Sequence, residues 1–353
     1  MAAALYDPAD GYYACGTRQV GRCGDFFTSV SVGPLFGELL ARRFLVEWRQ
    51  SGRPASWRII ECGAHDGTLA ADVLAALRTL DSRAFDALDY VITEPLPTLR
   101  AAQRNTLQPF VQRVRMVADP LELAADPLPG IAFGNELLDA LPFHLVEWQR
   151  GRWLERLVAT DAESEFIWET REINAPALID ALARLGHDFP DGYRSEIRTC
   201  FSGLLEPLSR GLDRGLLLWA DYGFARLDYY HPDRATGTLR TFARHRAGEN
   251  PLESPGLTDI TAHVDFTAVA EAAVALGGRP VDFRSQGSWL IDTARDWLLE
   301  QEGNPQASFV RQFQSLTHPA QLGGRFHILE LSWNPDRNPH DPAGLDRRLF
   351  GGP

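Results

Sequence analysis

Apolar positions in the first 140 residues follow a helical period and a strand period in turn. Residues 34–52 repeat apolar side chains every three to four positions and end at a glycine, which predicts a helix. The apolar face of this helix holds Phe36, Leu39, Leu40, Phe44 and Trp48. The short, mainly apolar run "WRII" that follows is typical of a buried strand.

The alternation continues to about residue 140. A second helix is predicted from Thr68, with Asp66 or Thr68 as its cap. Its apolar stripe consists of Leu69, Val73, Leu77 and Leu80. Strands are predicted in "DYVITEP", "VQRVRMV" and "GIAFGNE", and a helix in "PTLRAAQRNTL". Strands that alternate with helices predict an α/β fold, with a parallel sheet and helices on both faces.

The pattern changes after residue 142. Apolar and polar residues alternate on both sides of "RGR", which predicts an antiparallel hairpin inserted into the α/β core. A long polar connection at 231–256 is typical of a functional loop. The other predicted elements are helices at about 176–186, 195–213, 265–277 and 288–301, and the strands "GLLLWADYG" and "GRFHILEL".

Composition narrows the possible partners. The net charge is −12, so we expect no nucleic acid partner, and a cationic partner fits better. All 35 basic residues are arginine. Because lysine is absent, a phosphate-binding GxxxxGK[ST] loop, a pyridoxal Schiff base and any lysine nucleophile are excluded.

The sequence indicates a soluble, cytoplasmic protein. No apolar stretch approaches the roughly 18 to 20 residues that cross a bilayer, so we expect no membrane span. We see neither a signal nor a transit peptide. The cysteines Cys15, Cys23, Cys62 and Cys200 lack metal-ligand spacing and are interpreted as buried thiols of a reducing compartment. The oligomeric state is not indicated.

The residues that end the predicted strands are the candidates for chemistry, because ligands of such sheets bind beyond the carboxyl ends of the strands. They are Glu61 with the loop "ECGAHDG", Glu94 in "TEP", Asn135 and Glu136 in "GNELLDALP", and Asp221 in "ADYG". One solvated acid after a strand is common. Three carboxylates and a glycine-containing turn at successive strand ends indicate a ligand site.

The "ECGAHDG" loop differs from a dinucleotide-binding turn at one position. A pyrophosphate needs close backbone approach at the second glycine of GxGxxG, and His65 takes up that space. S-adenosyl-L-methionine has no phosphate and presents an ammonium and a carboxylate there. Glu61 could bind the ammonium, and backbone N–H groups of residues 63–67 could bind the carboxylate. Glu94 could bind both ribose hydroxyls. A tight turn without a ligand is the alternative.

Several stretches along the chain together resemble one known family. They are "ALYDPADGYY", "GDFFTS" with "FGELL", "ECGAHDGTLAADVL", "EPLPTLRAAQ", "NELLDALPFH", "DYG", "TGTLRTFARHR" with "PLESPG", "DITAHVDF" and "LGGRFHILEL". In this order they resemble the MidA family of S-adenosylmethionine-dependent methyltransferases. Mitochondrial members of that family assist assembly of respiratory complex I by methylating an arginine of a subunit.

The resemblance implies a class I methyltransferase fold, a Rossmann-like, mostly parallel, seven-stranded sheet with its last strand antiparallel. It implies S-adenosyl-L-methionine as cofactor and a protein substrate with an accessible arginine, of the respiratory complex I subunit type. The cofactor-binding residues would be Gly24, Asp25 and Thr28 of a closing loop, Glu61, Gly63, Ala64, His65 and Gly67 at the methionine moiety, Glu94 at the ribose, and Asn135.

The predicted organisation has four parts. Residues 1–55 form an N-terminal extension with the "GDFFTS" loop and a helix, and 56–142 form the cofactor-binding core. Residues 143–213 form the inserted hairpin and helical subdomain, and 214–353 the remainder of the core with the substrate loop.

The chain departs from the family pattern at three places. Residues 63–67 read Gly-Ala-His-Asp-Gly, where the family usually reads Gly-Pro-Gly-Arg-Gly. Val30 and Ser31 replace a Pro-Glu pair, and Gly237 replaces an acid.

Two carboxylates three positions apart suit a guanidinium acceptor. Paired carboxylates can grip a guanidinium bidentately and orient its near nitrogen. If a helix begins at Glu136, that residue and Asp139 point to one side. We hypothesise that both hold an arginine, with Asp221 or His263 as proton acceptor. A helix cap with solvated acids is the alternative.

Other interpretations remain open. His263 and Asp265 are candidate metal ligands. No third ligand has a convincing spacing, so no metal site is assigned. The chain could also be a binding or assembly protein that kept the fold and lost turnover, or a small-molecule methyltransferase. Tyr222 and Phe242 are candidates for the lining of the acceptor channel, or are packing residues.

Overall fold

The computed structural model describes residues 1–14, 28–243, 246–303, 305–333 and 345–350. Its strands are β1 (Trp57–Cys62), β2 (Leu88–Thr93), β3 (Val114–Val117), β4 (Leu128–Asn135), β5 (His144–Gln149), β6 (Arg152–Thr160), β7 (Phe166–Arg171), β8 (Arg194–Ile197), β9 (Leu212–Phe224), β10 (Arg240–Ala243), β11 (Arg246–Gly248), β12 (Asp259–Thr261), β13 (Val264–Asp265), β14 (Arg279–Ser285) and β15 (Phe326–Trp333).

The α-helices fall mainly between these strands. They are α1 (Ala2–Tyr6), α2 (Ser29–Val32), α3 (Leu35–Gln50), α4 (Thr68–Leu80), α5 (Ser82–Asp86), α6 (Pro97–Thr106), α7 (Pro176–Leu182), α8 (Phe201–Arg210), α9 (Arg226–Tyr229), α10 (Phe266–Ala275), α11 (Gln286–Thr293), α12 (Arg295–Glu300), α13 (Ala307–Thr317), α14 (Leu322–Arg325) and α15 (Leu345–Phe350). Short 3₁₀ turns occupy Gln108–Phe110, Pro120–Ala125 and Pro232–Arg234.

Seven strands form the central sheet in the order β14-β15-β9-β4-β1-β2-β3, and β13 pairs with β9 beside them. Strands β3, β2, β1, β4 and β9 are parallel to their neighbours in this series. The last strand, β15, is antiparallel to both β9 and β14. The predicted α/β class and the antiparallel last strand are therefore confirmed.

The sheet separates two apolar layers because successive side chains of a strand point to opposite faces. Ile59 of β1 packs in one layer with Phe44 of α3 and Val73 of α4. The next residue, Ile60, packs in the other layer with Leu205 of α8. All six residues of β1 are buried, as expected of a strand with helices on both sides. The predicted apolar faces of α3 and α4 lie in the first layer.

The inserted region is a second sheet. Strands β7, β6, β5 and β8 are antiparallel and adjacent in that order. The predicted hairpin is confirmed, and its turn places Arg150 and Gly151 at positive φ, 50° and 78°. Helix α7 covers one face, where Leu178 packs against Val146.

Three sequence predictions differ from the structure. The helix predicted at about 195–213 is shorter, because residues 194–197 pair with β5 as strand β8 and only Phe201–Arg210 is helical. The long loop at 231–256 contains β10 and β11, which form a three-stranded antiparallel sheet with β12. Strand β14 and helix α13 were not predicted. Long-range pairing overrode the local pattern in the first two cases.

The N-terminal segment packs on the side of the central sheet where the parallel strands have their carboxyl ends. Leu5 and Tyr12 are buried against Ile260 of β12, with Phe143 beside them. No helix within the described ranges is long and apolar enough to cross a membrane.

Candidate functional site

The predicted strand-end residues come together at one edge of the central sheet. Glu61 of β1 pairs in register with Ile92 of β2 and with Phe133 of β4. Asn135, the last residue of β4, pairs with Ala220 of β9. The carboxyl ends of β2, β1, β4 and β9 are therefore neighbours, and the predicted candidates line this edge.

The loop after β1 turns through three left-handed residues. Gly63, His65 and Gly67 have φ of 72°, 45° and 86°. A histidine at positive φ carries a steric cost that glycine avoids. A Cβ on Gly63 would lie 3.0 Å from Leu137 Cδ1. The loop closes with the N–H of Gly67 donating to Ala64 O at 2.7 Å.

Helix α4 begins directly after this loop. The N-cap of α4 is Gly67 rather than the predicted Asp66 or Thr68; Thr68 is the first helical residue, and its N–H donates to Asp66 Oδ1 at 3.0 Å. Asp66 Oδ1 also lies 3.8 Å from His65 Nδ1. Hydrogen bonds and the charge of His65 outweigh burial and lower the pKa of Asp66 to about 2. The helix N-terminus therefore already holds one carboxylate.

Glu61 is a buried carboxyl that has one hydrogen-bond donor in the part of the chain that the structure describes. It is 2% exposed, and Tyr90 donates to its Oε2 at 2.6 Å. Burial raises the pKa of Glu61 to about 7, with the charge of Asp66 adding to the rise and the Tyr90 hydrogen bond opposing it. A cation placed beside Glu61 would favour its ionised form.

Glu94 is linked to the glycine loop through Gln103. Gln103 Nε2 donates to His65 O at 2.9 Å and to Glu94 Oε2 at 3.3 Å. The N–H of Leu96 donates to Glu94 Oε1 at 2.9 Å. Burial raises the pKa of Glu94. Among the described residues each carboxyl oxygen has one donor, which leaves a lone pair of each for a hydroxyl.

Asn135 and Glu136 lie where β4 ends. Glu136 has a φ of 53°, and its N–H donates to Ala220 O at 2.9 Å. Asn135 Nδ2 donates to Glu136 Oε1 at 3.0 Å. Burial and the charge of Asp139 raise the pKa of Glu136 to about 8.

The expected helix at Glu136 is absent, because residues 136–141 form a turn. Glu136 and Asp139 nevertheless interact, since the charge of Asp139 raises the pKa of Glu136. Burial raises the pKa of Asp139 to about 6, and Arg198 opposes the rise. The proximity of the two acids results from the turn rather than from helical spacing.

Asp221 holds this turn in place. Its Oδ2 accepts from the N–H groups of Leu137, Leu138 and Asp139 at 3.1, 2.7 and 3.3 Å, and Oδ1 accepts from Tyr222 N at 2.8 Å. Three N–H groups of the 137–139 turn thus converge on one oxygen of the Asp221 carboxyl, and the other oxygen accepts from the adjacent backbone. We therefore assign Asp221 a structural role instead of the proton-accepting role expected from the sequence.

His263 lies beside the same edge. Its backbone N–H donates to Thr238 Oγ1 at 3.0 Å, and its Nδ1 is buried with no hydrogen-bond partner among the described residues. Burial and the charges of nearby arginines lower its pKa to about 4. The imidazole is therefore neutral at pH 7, and the same environment makes it a weaker base than an exposed histidine.

Asp265 has a structural environment. Its Oδ1 accepts from the N–H of Ala268 and caps α10, and its Oδ2 lies 3.4 Å from Arg226 Nε. No cluster of three or more His, Cys, Asp or Glu side chains suited to a metal occurs in the described part of the chain.

The closing loop is only partly described. Gly24 and Asp25 lie outside the described residues, as do Cys15 and Cys23. Thr28 is the N-cap of α2, where its Oγ1 accepts from Ser31 N at 3.3 Å. The backbone of the neighbouring Ser29 opposes the rise in the pKa of Glu136, so α2 begins near that carboxyl.

Several contributing residues were missed by the sequence analysis. Arg198 donates to Asp139 O, Leu141 O, Ala262 O and His263 O at 2.5 to 3.1 Å, and so joins the 139–141 turn to the 262–263 segment. Tyr6 donates to Ala140 O at 2.8 Å, and Tyr13 donates to Asp259 Oδ1 at 3.0 Å. The "ALYDPADGYY" stretch was the available signal for the two tyrosines, but no local signal marked Arg198.

Glu196 explains one departure from the family pattern. Its carboxyl accepts from the N–H groups of Thr238 and Leu239 at 3.0 Å. A Cβ on Gly237 would lie 2.4 Å from Glu196 Oε1. The space beside residue 237 is therefore filled by an acid from β8.

The residues present fit an adenosyl amino acid. Two buried oxygens, Asn135 Oδ1 and Gln103 Oε1, have no hydrogen-bond partner within the described residues, and an N–H or O–H of a ligand would satisfy each. Glu61 suits an ammonium, and Glu94 suits a pair of hydroxyls.

Comparison with known proteins agrees with this geometry. Residues 39–283 match the model of the family described as "Putative S-adenosyl-L-methionine-dependent methyltransferase". A Drosophila melanogaster protein named "Protein arginine methyltransferase NDUFAF7 homolog, mitochondrial" is 30% identical, over 94% of this chain and 80% of its own. The Rattus norvegicus protein named "Protein arginine methyltransferase NDUFAF7, mitochondrial" is 29% identical, over 94% of this chain and 79% of its own.

A solved structure shows the same fold. A crystal structure of a Burkholderia thailandensis protein bound to S-adenosyl-homocysteine superposes with a TM-score of 0.84 and 34% identity, and the match covers 96% of this chain and 87% of that one. The chain belongs to the MidA-like family of S-adenosyl-L-methionine-dependent methyltransferases, and S-adenosyl-L-methionine is its cofactor.

Proposed function

We propose that this methyltransferase modifies an arginine side chain of a protein partner. The observation that carries the proposal is the pair of interacting carboxyls, Glu136 and Asp139, with pKa values raised to about 8 and about 6. Two acids that resist ionisation together are stabilised as carboxylates by a cation placed between them. The names of the relatives as protein arginine methyltransferases support the same acceptor.

The cofactor would be held by the residues at the carboxyl edge. Glu61 would bind the ammonium group of the cofactor, and the N–H groups of residues 63–67 would bind its carboxylate. Glu94 would accept hydrogen bonds from its ribose hydroxyls. When bound, S-adenosyl-L-methionine supplies an electrophilic methyl group on a sulfonium. Asn135 and Glu136 border the end of β4 beside this position.

The chain's own residues would orient the acceptor and take its proton. A guanidinium is a weak nucleophile because its charge is delocalised and its pKa lies near 12.5 to 13.8. Carboxylates at Glu136 and Asp139 would orient one nitrogen and withdraw charge from it. His263, neutral at pH 7, would accept the proton that this nitrogen loses.

A subunit of a respiratory complex I is the partner class that we propose from the resemblance. The chain's net charge of −12 favours association with a basic surface. The arginine would have to reach the carboxyl edge, so we expect it in an exposed or extended segment of the partner.

The proposal is tested by methyl transfer to proteins. The purified chain is incubated with methyl-labelled S-adenosyl-L-methionine and a lysate from cells that lack this chain, and the labelled proteins are hydrolysed to amino acids. We expect the label in methylated arginine. Glu61→Gln, which removes the carboxylate expected to bind the ammonium, is the control for transfer by other enzymes.

Other outcomes would overturn the proposal. Label confined to low-mass products would indicate a small-molecule methyltransferase. Calorimetric binding of S-adenosyl-L-methionine without transfer to any product would indicate a binding or assembly protein.

A further inference from the structure

A row of aromatic rings lies where the carboxyl end of β9 meets the amino ends of β13 and β15. Tyr222 and Phe326 have ring centroids 3.9 Å apart, and His263 and Phe224 have centroids 5.4 Å apart. Tyr222 and His263 connect these two pairs, with centroids 6.4 Å apart and planes inclined by only 11°. Because Val264 pairs with Gly223 in parallel register, His263 and Tyr222 lie side by side on neighbouring strands.

The middle of this row adjoins the paired carboxyls. Glu136 donates its N–H to Ala220 O, two residues before Tyr222. The charges of Glu136 and Asp139 contribute to raising the pKa of the Tyr222 hydroxyl. Tyr222 and His263 are both half-buried, so part of each side chain remains accessible.

One end of the row already holds a guanidinium of the chain itself. Arg234 Cζ lies 4.0 Å from the ring centroid of Phe224, and Arg234 donates to Asp228 O. Guanidinium groups stack on aromatic faces because they are planar and weakly hydrated. The row therefore accepts a guanidinium on one ring while its middle pair lies next to two acids.

We propose that the substrate arginine stacks against Tyr222 and His263 with its nitrogens directed to Glu136, and that this aromatic pair selects a guanidinium over an ammonium. The inference rests on the proposed arginine acceptor and adds the residues that recognise it. An ammonium is compact and strongly hydrated, so it gains from the carboxylates but little from the rings. Removal of one ring should therefore weaken arginine binding more than lysine binding.

The test compares two blocked peptides, Ac-Gly-Gly-Arg-Gly-Gly-NH₂ and the same peptide with lysine. Their dissociation constants are measured by calorimetry on the full chain saturated with S-adenosyl-homocysteine, so that no turnover occurs. We expect the wild-type chain to prefer the arginine peptide by about tenfold, as one aromatic stacking contact allows. Tyr222→Leu should lose most of this preference, and Tyr222→Phe should keep it.

Two further variants complete the design. Phe166→Leu on β7, an exposed ring outside the row, is the matched control and should keep the preference. His263→Ser removes the second ring and provides the same test if Tyr222→Leu no longer binds S-adenosyl-homocysteine.

The outcomes separate this inference from the proposed function. An unchanged preference in Tyr222→Leu and His263→Ser overturns the role of the rings and leaves the arginine acceptor in place. If the wild-type chain binds neither peptide and methylates no arginine in the lysate, the proposed function fails and this inference fails with it.

Discussion

At the residue scale, the site concentrates backbone conformations that side chains rarely adopt. Within the described residues six non-glycine residues have positive φ, and two of them, His65 and Glu136, follow β1 and β4 at the carboxyl edge. Such conformations persist where surrounding contacts enforce them. Gln103 Nε2 donates a hydrogen bond to His65 O, and the N–H of Glu136 donates one to Ala220 O. The strain is found in the loops that we expect to contact the cofactor and the acceptor.

Glu61 gives the cofactor affinity a pH dependence. Its pKa of about 7 means that the carboxyl is mostly protonated at pH 6 and mostly ionised at pH 8. The ionised form binds an ammonium, so we expect S-adenosyl-homocysteine to bind about tenfold more weakly at pH 6 than at pH 8. Calorimetry at the two pH values measures this. Glu61→Gln should bind weakly at both, and an equally steep dependence in that variant would contradict the assignment.

Glu136 should make the folded chain less stable as the pH rises. Its folded pKa of about 8 lies above the ordinary value of 4.5, so the folded state binds more protons between these values and the free energy of unfolding falls across this window. We expect Glu136→Gln to gain on the order of 1 to 3 kcal/mol relative to wild type between pH 5 and pH 8. Urea unfolding in the absence of ligand measures this gain.

Asp139→Asn is the control for this prediction. The pKa of Asp139 is about 6, and its charge contributes only part of the rise in the pKa of Glu136, so above about pH 6 the stability difference between Asp139→Asn and wild type should grow less steeply than that of Glu136→Gln. Parallel curves for the two variants would show that the pH dependence does not arise from Glu136.

At the element scale, the sheet depends on close approach of three strands at Gly130. A Cβ on Gly130 would lie 1.9 Å from Arg58 O, a backbone atom that cannot move aside. We expect Gly130→Ala to destabilise the chain by about 3 kcal/mol or more, or to prevent folding.

Gly203→Ala is the matched control, because a Cβ at this position on helix α8 would have no other atom within 4 Å. That variant should gain about 0.5 to 1 kcal/mol by thermal or urea unfolding. Similar losses in both would contradict this explanation.

Arg198 connects the inserted sheet to the acceptor side of the site. Its guanidinium donates to four backbone carbonyls in the 139–141 and 262–263 segments. Arg198→Ala leaves these carbonyls without their donor, so we expect a loss of about 3 kcal/mol in stability. The variant should bind S-adenosyl-homocysteine like wild type but transfer methyl groups at least about tenfold more slowly. Unchanged transfer would show that the acceptor side does not depend on this contact.

The sequence predicted the parts of the site that follow from strand order. Glu61, Glu94 and Asn135 end parallel strands, so their convergence follows from the α/β pattern. The roles of Asp221 and Arg198 could not be predicted, because they depend on contacts between residues 57 to 84 positions apart. The hydrogen bond from Tyr90 to Glu61 could not be predicted either, because Tyr90 lies inside a strand and no local sequence pattern indicates this contact. The residues of strand β8 were predicted to be helical, because the pairing of this strand with β5 is a long-range contact that the local sequence pattern does not show.

At the scale of the whole molecule, cofactor binding should stabilise the fold. The residues expected to bind the cofactor come from β1, β2, β4 and the segments after them, so a bound cofactor would connect elements that unfolding separates. We expect S-adenosyl-homocysteine at 100 times its dissociation constant to raise the free energy of unfolding by about 2.7 kcal/mol. Differential scanning fluorimetry over a range of ligand concentrations follows this change. A midpoint independent of ligand concentration would contradict binding to the folded chain. The cytoplasmic location stays a prediction.

The most direct test of the account is methyl transfer by Glu136→Gln. The rate of transfer from S-adenosyl-L-methionine to arginine in the labelled acceptor is compared with that of the wild-type chain, with the affinity for S-adenosyl-homocysteine measured on both proteins. The account predicts that transfer falls at least about 100-fold, because the carboxylate that orients the guanidinium is lost, while the cofactor affinity changes less than about threefold. Undiminished transfer to arginine with intact cofactor binding would contradict it.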